Sequence, residues 1–209
     1  MMALPAVLTS EVVPPAFPRL RWFALAWLAF WIPVYLWTWG WRNFLLLCDL
    51  AVLLTAAGLW RSNALLLSSQ AVSTLVVGIA WSVDLVWRGL TGSHLMGGTE
   101  YFWDSRYPLW VRLVSFYHAG LPVLLVWAVR RIGYDPRGWK LQSALAAVVL
   151  VASRLLAPGW NLNYSEREPL LHRTWGPAPV HLAVVLAFLI LILYWPAHRV
   201  LAAALPNRK

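Results

Sequence analysis

Residues 179–197 read PVHLAVVLAFLILILYWPA, a run of 19 residues without Asp, Glu, Lys or Arg. A helix needs about 20 mostly apolar residues to cross the hydrocarbon core of a bilayer. Runs of similar character recur at 22–39, 43–60, 62–87, 108–129 and 139–157. They are too long for membrane β-strands and lack the alternation of polar and apolar residues that such strands show. The sequence therefore predicts an all-α, polytopic membrane protein with a bundle of six transmembrane helices.

The composition of the chain supports this fold class. Of its 209 residues 61% are hydrophobic and only 12% are charged, against about 25% charged residues in an average soluble domain. The single cysteine, Cys48, excludes a disulfide scaffold and a zinc module with several cysteines. The sequence predicts no cofactor.

Three regions follow from the hydropathy pattern. Residues 1–18 contain four prolines and no basic stretch ahead of an apolar core, so we expect a disordered cytoplasmic tail and no cleaved signal peptide. Residues 19–200 form the predicted six-helix domain, and residues 201–209 a basic cytoplasmic tail. The third span is long and is expected to tilt or unwind near Asp84, and the sixth to end near Pro196 as an outer, lipid-facing helix.

Orientation follows from the distribution of the 17 Lys and Arg residues. With six spans, ten lie on the side of the termini and seven on the side of the two longer loops, 88–107 and 159–178. Cytoplasmic loops carry the excess of Lys and Arg, so we expect both termini in the cytoplasm and both longer loops outside. The predicted location is a cell membrane, most simply a bacterial inner membrane. The ten are Arg19, Arg21, Arg61, Arg130, Arg131, Arg137, Lys140, Arg199, Arg208 and Lys209.

The net charge of +9 is explained by this bias together with attraction to anionic lipids. A basic face with interleaved aromatic residues, typical of nucleic-acid binding, is not visible in the sequence. Membrane lipids are therefore the expected partners, and no nucleic acid is expected.

Two ionisable residues, Asp49 and His118, lie deep inside predicted spans, where such groups usually mark a functional site. Asp49 and His118 lie roughly 10 Å and 15 Å from the predicted outer end of their spans, at 1.5 Å per residue. As a catalytic pair, Asp49 would orient His118, which would act as a general base. Arg112 and Arg154 would then hold an anionic headgroup or carboxylate. Alternatively, Asp49 only neutralises one of these arginines, and His118 bonds a carbonyl that Pro122 leaves free.

Further candidate substrate-binding residues are Asp84 and the group Asn161, Asn163 and Tyr164, which follows the fifth span. Asp84 lies four residues before Arg88, so a local ion pair is the alternative to a binding role. The two amides and the phenol either cap a polar pocket or are ordinary turn residues.

No metal site is predicted. The loop residues His94, Glu100, Asp104 and His172 lack the spacing of metal ligands.

Three segments together resemble a family, the YwaF-like bacterial integral membrane proteins. Residues 45–51 read LLLCDLA and resemble the family's LHLCDLA; residues 116–121 read FYHAGL and resemble its SHG segment; residues 161–164 read NLNY and resemble its NTNY text. Their order and spacing agree over residues 43–164.

The resemblance implies a remote similarity to transmembrane phospholipid acyltransferases and to androgen-induced lipid hydrolases. It implies that His118 matches the catalytic histidine of those proteins. The first histidine of the family falls on Leu46 here, and no Thr or Ser matches the nucleophile of the hydrolases.

Three functions remain open on the sequence. The first is a membrane enzyme acting on lipid acyl chains, with an outward-facing intramembrane polar pocket. The second is a non-catalytic binder or carrier of a lipid or similar amphiphile that uses the same pocket. The third is a structural membrane subunit whose polar groups only pack helices.

Overall fold

A computed structural model describes residues 15–169 and 171–206, and none of them lies in a β-strand. Two 3₁₀ helices, Trp41–Leu45 and Leu162–Tyr164, lie between the α-helices, and a π-helical segment, Leu189–Tyr194, joins the last two. The α-helices are α1 (Leu20–Trp39), α2 (Leu47–Arg61), α3 (Ala64–Thr91), α4 (Glu100–Trp103), α5 (Leu109–Val114), α6 (Tyr117–Ile132), α7 (Gly138–Leu156), α8 (Ala178–Phe188) and α9 (Trp195–Ala204). The prediction of an all-α fold is confirmed.

Among the described residues, five helices are long and apolar enough to cross a membrane. They are Leu20–Trp39, Ala64–Thr91, Leu109–Ile132, Gly138–Leu156 and Ala178–Ala204. The predicted span 43–60 differs, because its α-helix, α2, has 15 residues. Leu46 has an extended backbone conformation (φ −69°, ψ 134°) and separates α2 from the 3₁₀ helix before it.

The two longest helices correct two expectations. α3 runs without a break past Asp84 to Thr91, so the expected unwinding is absent. The sixth helix does not end near Pro196 but continues to Ala204. The π-helical segment shifts the hydrogen-bond register just before Pro196, which places this proline in the first turn of α9. A proline is tolerated there, since its missing N–H needs no helical partner.

The sixth helix also has a buried side. Phe188, Leu191 and Ile192 are exposed, as a lipid-facing helix requires. Tyr194, however, is buried and accepts a hydrogen bond from Gln142 Nε2 of α7 at 3.4 Å.

One end of the bundle, which we name the basic end, gathers the start of the described chain, the α2–α3 turn, the α6–α7 loop and the last described residues. The Ala16 N–H donates to Ser62 Oγ (3.0 Å), the Asp135 N–H to Ser68 Oγ (3.0 Å) and the Tyr134 N–H to the Pro206 carbonyl (2.7 Å).

The predicted tails are partly structured. Phe17 is buried, α9 extends to Ala204, and Leu205 is buried beyond it. Residues 15–18 and 201–206 thus pack against the bundle. The remainder of the two predicted tails, 1–14 and 207–209, lies outside the described residues.

The opposite end, which we name the loop end, brings both longer loops to the turn between α1 and α2. Asn163 Nδ2 donates to the Leu45 carbonyl at 2.7 Å. The Trp39 ring lies 5.6 Å from the Tyr101 ring and 4.3 Å from the Tyr107 ring, between centroids. The two longer loops therefore lie at the same end of the bundle, as the sequence predicts.

α3 lies at the centre of the bundle, in contact with α2, α6 and α7. Its small residues permit close approach of the neighbouring helices, as is common in membranes. At Gly78 a Cβ atom would lie 2.4 Å from the His118 carbonyl oxygen and 2.5 Å from Pro122 Cγ. Only glycine fits at this α3–α6 crossing, which sets the position of the start of α6.

Candidate functional site

Asp49 lies in the first turn of α2 with only 1% of its surface exposed. The Tyr117 hydroxyl donates a hydrogen bond to Asp49 Oδ1 at 2.5 Å, and the Asn43 amide donates to Oδ2. Within residues 15–169 and 171–206, no basic side chain forms an ion pair with this carboxylate. Neutral donors therefore hold Asp49, and the expected ion pair with Arg112 or Arg154 is absent.

The chain reaches this arrangement through the interrupted start of α2. The 3₁₀ helix Trp41–Leu45 carries Asn43 to one side of the carboxylate. Asn163, from the distant loop after α7, accepts from the Leu47 N–H at 2.9 Å and donates to the Leu45 carbonyl and to Ser153 Oγ. Asn163 has φ +52°, a left-handed conformation that Asn adopts more readily than most residues.

His118 lies in the first turn of α6 and does not hydrogen-bond Asp49. Its Nδ1 lies 2.9 Å from the carbonyl oxygen of Ser115. Because a carbonyl can only accept, Nδ1 carries the proton, and the neutral ring keeps its lone pair on Nε2. The predicted Asp49–His118 pair is therefore wrong as a direct contact. The alternative is also corrected, because Pro122 frees the carbonyl of residue 118 and not that of Ser115.

Two aromatic rings hold the imidazole in place. The His118 ring stacks on Tyr117, with centroids 4.1 Å apart and planes at 27°, and on Trp81, at 5.1 Å and 13°. Tyr117 thus connects the two predicted catalytic residues, with its hydroxyl on Asp49 and its ring on His118.

The two candidate arginines bind the loops instead of converging on the carboxylate. Arg112 Nη1 donates to the Phe102 carbonyl at 3.0 Å. Arg154 Nη1 donates to the Ser165 carbonyl at 3.3 Å and lies 3.9 Å from Glu166 Oε1. The predicted anion clamp is not assembled in this structure.

Asp84 holds the loop after α3. It is fully buried, and its Oδ1 accepts from the backbone N–H groups of Leu95, Met96 and Gly97 at 2.8, 2.7 and 3.1 Å. Its Oδ2 accepts from Thr99 Oγ1 at 2.5 Å and lies 2.9 Å from His94 Nδ1. The expected ion pair with Arg88 is not formed, because the loop supplies all the partners of the carboxylate.

Asn161 is a turn residue and Tyr164 is half exposed. Asn161 Oδ1 accepts from the N–H groups of Glu166 and Arg167, and its Nδ2 donates to the Arg167 carbonyl. The Tyr164 carbonyl lies 3.0 Å from His181 Nε2 at the start of α8. Of the three residues predicted here, only Asn163 reaches the start of α2.

The weak metal candidates are separated and otherwise engaged. Among the described residues, no group of three or more His, Cys, Asp or Glu side chains is placed to hold a metal ion. His94 lies against Asp84, and Asp104 accepts from Arg106 Nη2 at 2.6 Å. The Arg106 guanidinium holds the pKa of the Asp104 carboxyl below its usual value.

Four residues of the site were missed by the sequence reasoning: Asn43, Trp81, Ser115 and Tyr117. Tyr117 adjoins His118 in the sequence, and the break between α5 and α6 at Ser115 and Phe116 places the Ser115 carbonyl on the imidazole. Asn43 and Trp81 come from other elements, so no spacing along the chain identifies them.

An apolar groove of about 310 Å³ runs along the outside of the bundle between α3 and α6. Its walls include Gly78, Ser82, Ala119 and Pro122, so it passes directly beside the backbone of His118. Val123, on its rim, is 71% exposed.

Comparisons of the chain with protein-family models, with curated proteins and with solved structures gave no match.

Proposed function

We propose that the chain is a six-span integral membrane protein of the cell membrane with both termini in the cytoplasm. The 15 residues of α2 rise about 22 Å, at 1.5 Å per residue, and α2 leads from the loop end at Leu45 to the basic end at Ser62. Contacts at the basic end and the loop end support six passes between the two ends.

We infer that the site at His118 acts on the acyl chain region of a lipid or similar amphiphile. The observation that carries this proposal is the tautomer of His118. The Ser115 carbonyl fixes the proton on Nδ1, which leaves Nε2 as a base held between two aromatic rings. A histidine held by a carbonyl on one nitrogen is ready to accept a proton on the other.

The groove between α3 and α6 supports a lipid as the substrate class. It is lined mostly by apolar residues, it faces outward from the bundle, and it passes beside the backbone of His118. An acyl chain lying in it would bring its polar end toward the loop end of the bundle. The resemblance of residues 116–121 to the histidine segment of the YwaF-like family supports the same role for His118.

Asp49 and Tyr117 are positioning residues in this proposal. The carboxylate orients the Tyr117 hydroxyl, and the Tyr117 ring supports one face of the imidazole. Arg112 and Arg154 hold the loops over the site and would meet an anionic headgroup only after leaving these carbonyls.

A non-catalytic carrier of the same class of molecule is the second candidate. It is favoured by one observation: in the part of the chain that the structure describes, no hydroxyl or thiol hydrogen-bonds His118 as a nucleophile would. Water would then have to serve as the nucleophile in the enzyme.

The test is a mass-spectrometric lipid profile of the purified protein after incubation in a mixed-lipid bilayer. Wild type and His172→Ala, a matched change in an exposed loop, should both convert a lipid species. His118→Ala should not. If the lipids remain unchanged with all three proteins, the catalytic proposal fails and the carrier becomes the better account.

A further inference from the structure

A cluster of aromatic and basic side chains lies at the basic end, where the start of α7 meets α9. The Trp139 and Trp195 rings pack edge to face with centroids 5.1 Å apart. Lys140 Nζ lies 5.9 Å from the Trp139 ring centroid, and Arg199 Cζ lies 5.9 Å from that of Trp195. We name these four residues, with His198, the indole shelf.

His198 joins the two indoles and is itself held firmly. Its ring lies 5.9 Å from Trp139 and 5.3 Å from Trp195. Its Nδ1 is 2.8 Å from the hydroxyl of Tyr134, a fully buried residue whose backbone N–H donates to the Pro206 carbonyl. The aromatic rings of the shelf are therefore held in place by their contacts with one another and with the buried Tyr134.

The two cations of the shelf have no carboxylate partner in residues 15–169 and 171–206. Neither Lys140 nor Arg199 forms an ion pair there, and the nearby Asp135 is engaged by Arg137 Nη2 at 2.8 Å. Both cations are exposed. Two positive charges thus lie on one aromatic platform, and no carboxylate of the described residues forms an ion pair with either of them.

We propose that the indole shelf binds the phosphate headgroup of an anionic phospholipid in the cytoplasmic leaflet. Trp and Lys or Arg side chains at the end of a spanning helix lie at headgroup depth, and that leaflet carries the anionic lipids. On the helix that carries Trp195 and Arg199, an exposed apolar surface continues from the shelf toward the loop end through Ile192 and Leu191, which are 55% and 63% exposed. Acyl chains covering this surface bring their headgroups to Lys140 and Arg199.

This site is separate from the site at His118, which lies toward the other end of the bundle. It rests on the proposed membrane orientation, because the basic end must face the headgroups of the cytoplasmic leaflet. Lipid conversion at His118 and lipid retention at the shelf are different measurements, so either proposal can fail without the other.

Native mass spectrometry of the detergent-purified protein tests this proposal. Wild type is titrated with phosphatidylglycerol and, separately, with phosphatidylcholine of the same acyl chains. The test variant is Lys140→Gln/Arg199→Gln. The control, Arg19→Gln/Arg130→Gln, removes the same charge from exposed positions at the same end. Inorganic phosphate is added in a further arm.

We expect wild type to retain phosphatidylglycerol in preference to phosphatidylcholine. The shelf variant should bind the first phosphatidylglycerol roughly five-fold more weakly and the control less than two-fold, because only the shelf holds both cations on one platform. Inorganic phosphate should not displace the lipid. Should the double variant fold poorly, Arg199→Gln alone carries the same expectation with a smaller loss.

Equal weakening in the shelf variant and the control would overturn the proposal and assign binding to the overall charge. Equal retention of the two lipids would also overturn it. Displacement of the lipid by inorganic phosphate would also overturn the proposal, because the site would then bind an anion without requiring a lipid.

Discussion

The environment of Asp49 shows how a membrane bundle can hold a carboxylate without a cation. Its two oxygens accept from Tyr117 and Asn43, and both donors come from outside α2. A buried carboxylate in an apolar medium requires such partners, since an unsatisfied charge is costly there. The site is therefore organised by hydrogen bonds to neutral groups.

A double-mutant cycle tests the bond between Asp49 and Tyr117. Asp49→Ala and Tyr117→Phe should each destabilise the protein by about 1–3 kcal/mol, since each leaves a buried polar group without its partner. The double variant should lose less than the sum, with a coupling of about 1 kcal/mol. The free energy of unfolding of all four proteins is measured by titration with a denaturing detergent. Additive losses would contradict the bond.

Asp84 gives a second prediction at this scale. Asp84→Ala should leave three loop N–H groups without an acceptor, at a cost of about 2–4 kcal/mol to the loop. Hydrogen exchange at Leu95–Gly97 should accelerate strongly. Arg88→Ala, which removes the partner predicted from the sequence, should leave this exchange unchanged. Similar acceleration of hydrogen exchange in both variants would instead support an ion pair between Asp84 and Arg88.

The sequence identified the important residues more reliably than their partners. The sequence singles out Asp49, His118, Asp84 and Asn163 because they are polar residues within or next to apolar runs. In the structure each of them is held by hydrogen bonds. Their partners could not be deduced. Helical spacing favoured Arg88 as the partner of Asp84. In the structure the Asp84 carboxylate instead accepts hydrogen bonds from three backbone N–H groups of the following loop.

At the scale of elements, the α3–α6 crossing determines where His118 lies. Gly78→Ala should destabilise the bundle by about 2 kcal/mol or more, because its Cβ would meet the His118 carbonyl and Pro122. Gly120→Ala is the matched control on α6, where a Cβ meets nothing within 4 Å. It should change stability by at most about 1 kcal/mol. Thermal unfolding in detergent measures both, and equal losses would contradict the close crossing.

The bounds of the helices were predictable where a simple apolar run decides them. The expected spans 22–39 and 139–157 agree with α1 and α7 within two residues at each end. The exceptions are local. The extended Leu46 shortens α2, and the π-helical segment carries the sixth helix past Pro196. The break at Leu46 is held by the contacts of Asn163 with Leu45 and Leu47, which hydropathy does not record.

The molecule as a whole has two unlike ends. The basic end joins the start of the described chain to the 61–63 turn and the 133–137 loop, and the loop end joins both longer loops to the turn after α1. The asymmetry of Lys and Arg along the sequence follows the same division. Both proposed lipid sites depend on this arrangement of the two ends. The arrangement requires α2 to cross the membrane.

The most direct test is labelling of single cysteines with a membrane-impermeant maleimide, in a Cys48→Ala background. Trp41→Cys, Ser93→Cys and Leu171→Cys probe the loop end, and Arg61→Cys and Pro136→Cys the basic end; all five positions are exposed. Six spans with cytoplasmic termini predict that the first three label in intact cells and the last two only after permeabilisation. If positions 41 and 61 label from the same side, α2 does not cross and the account is wrong.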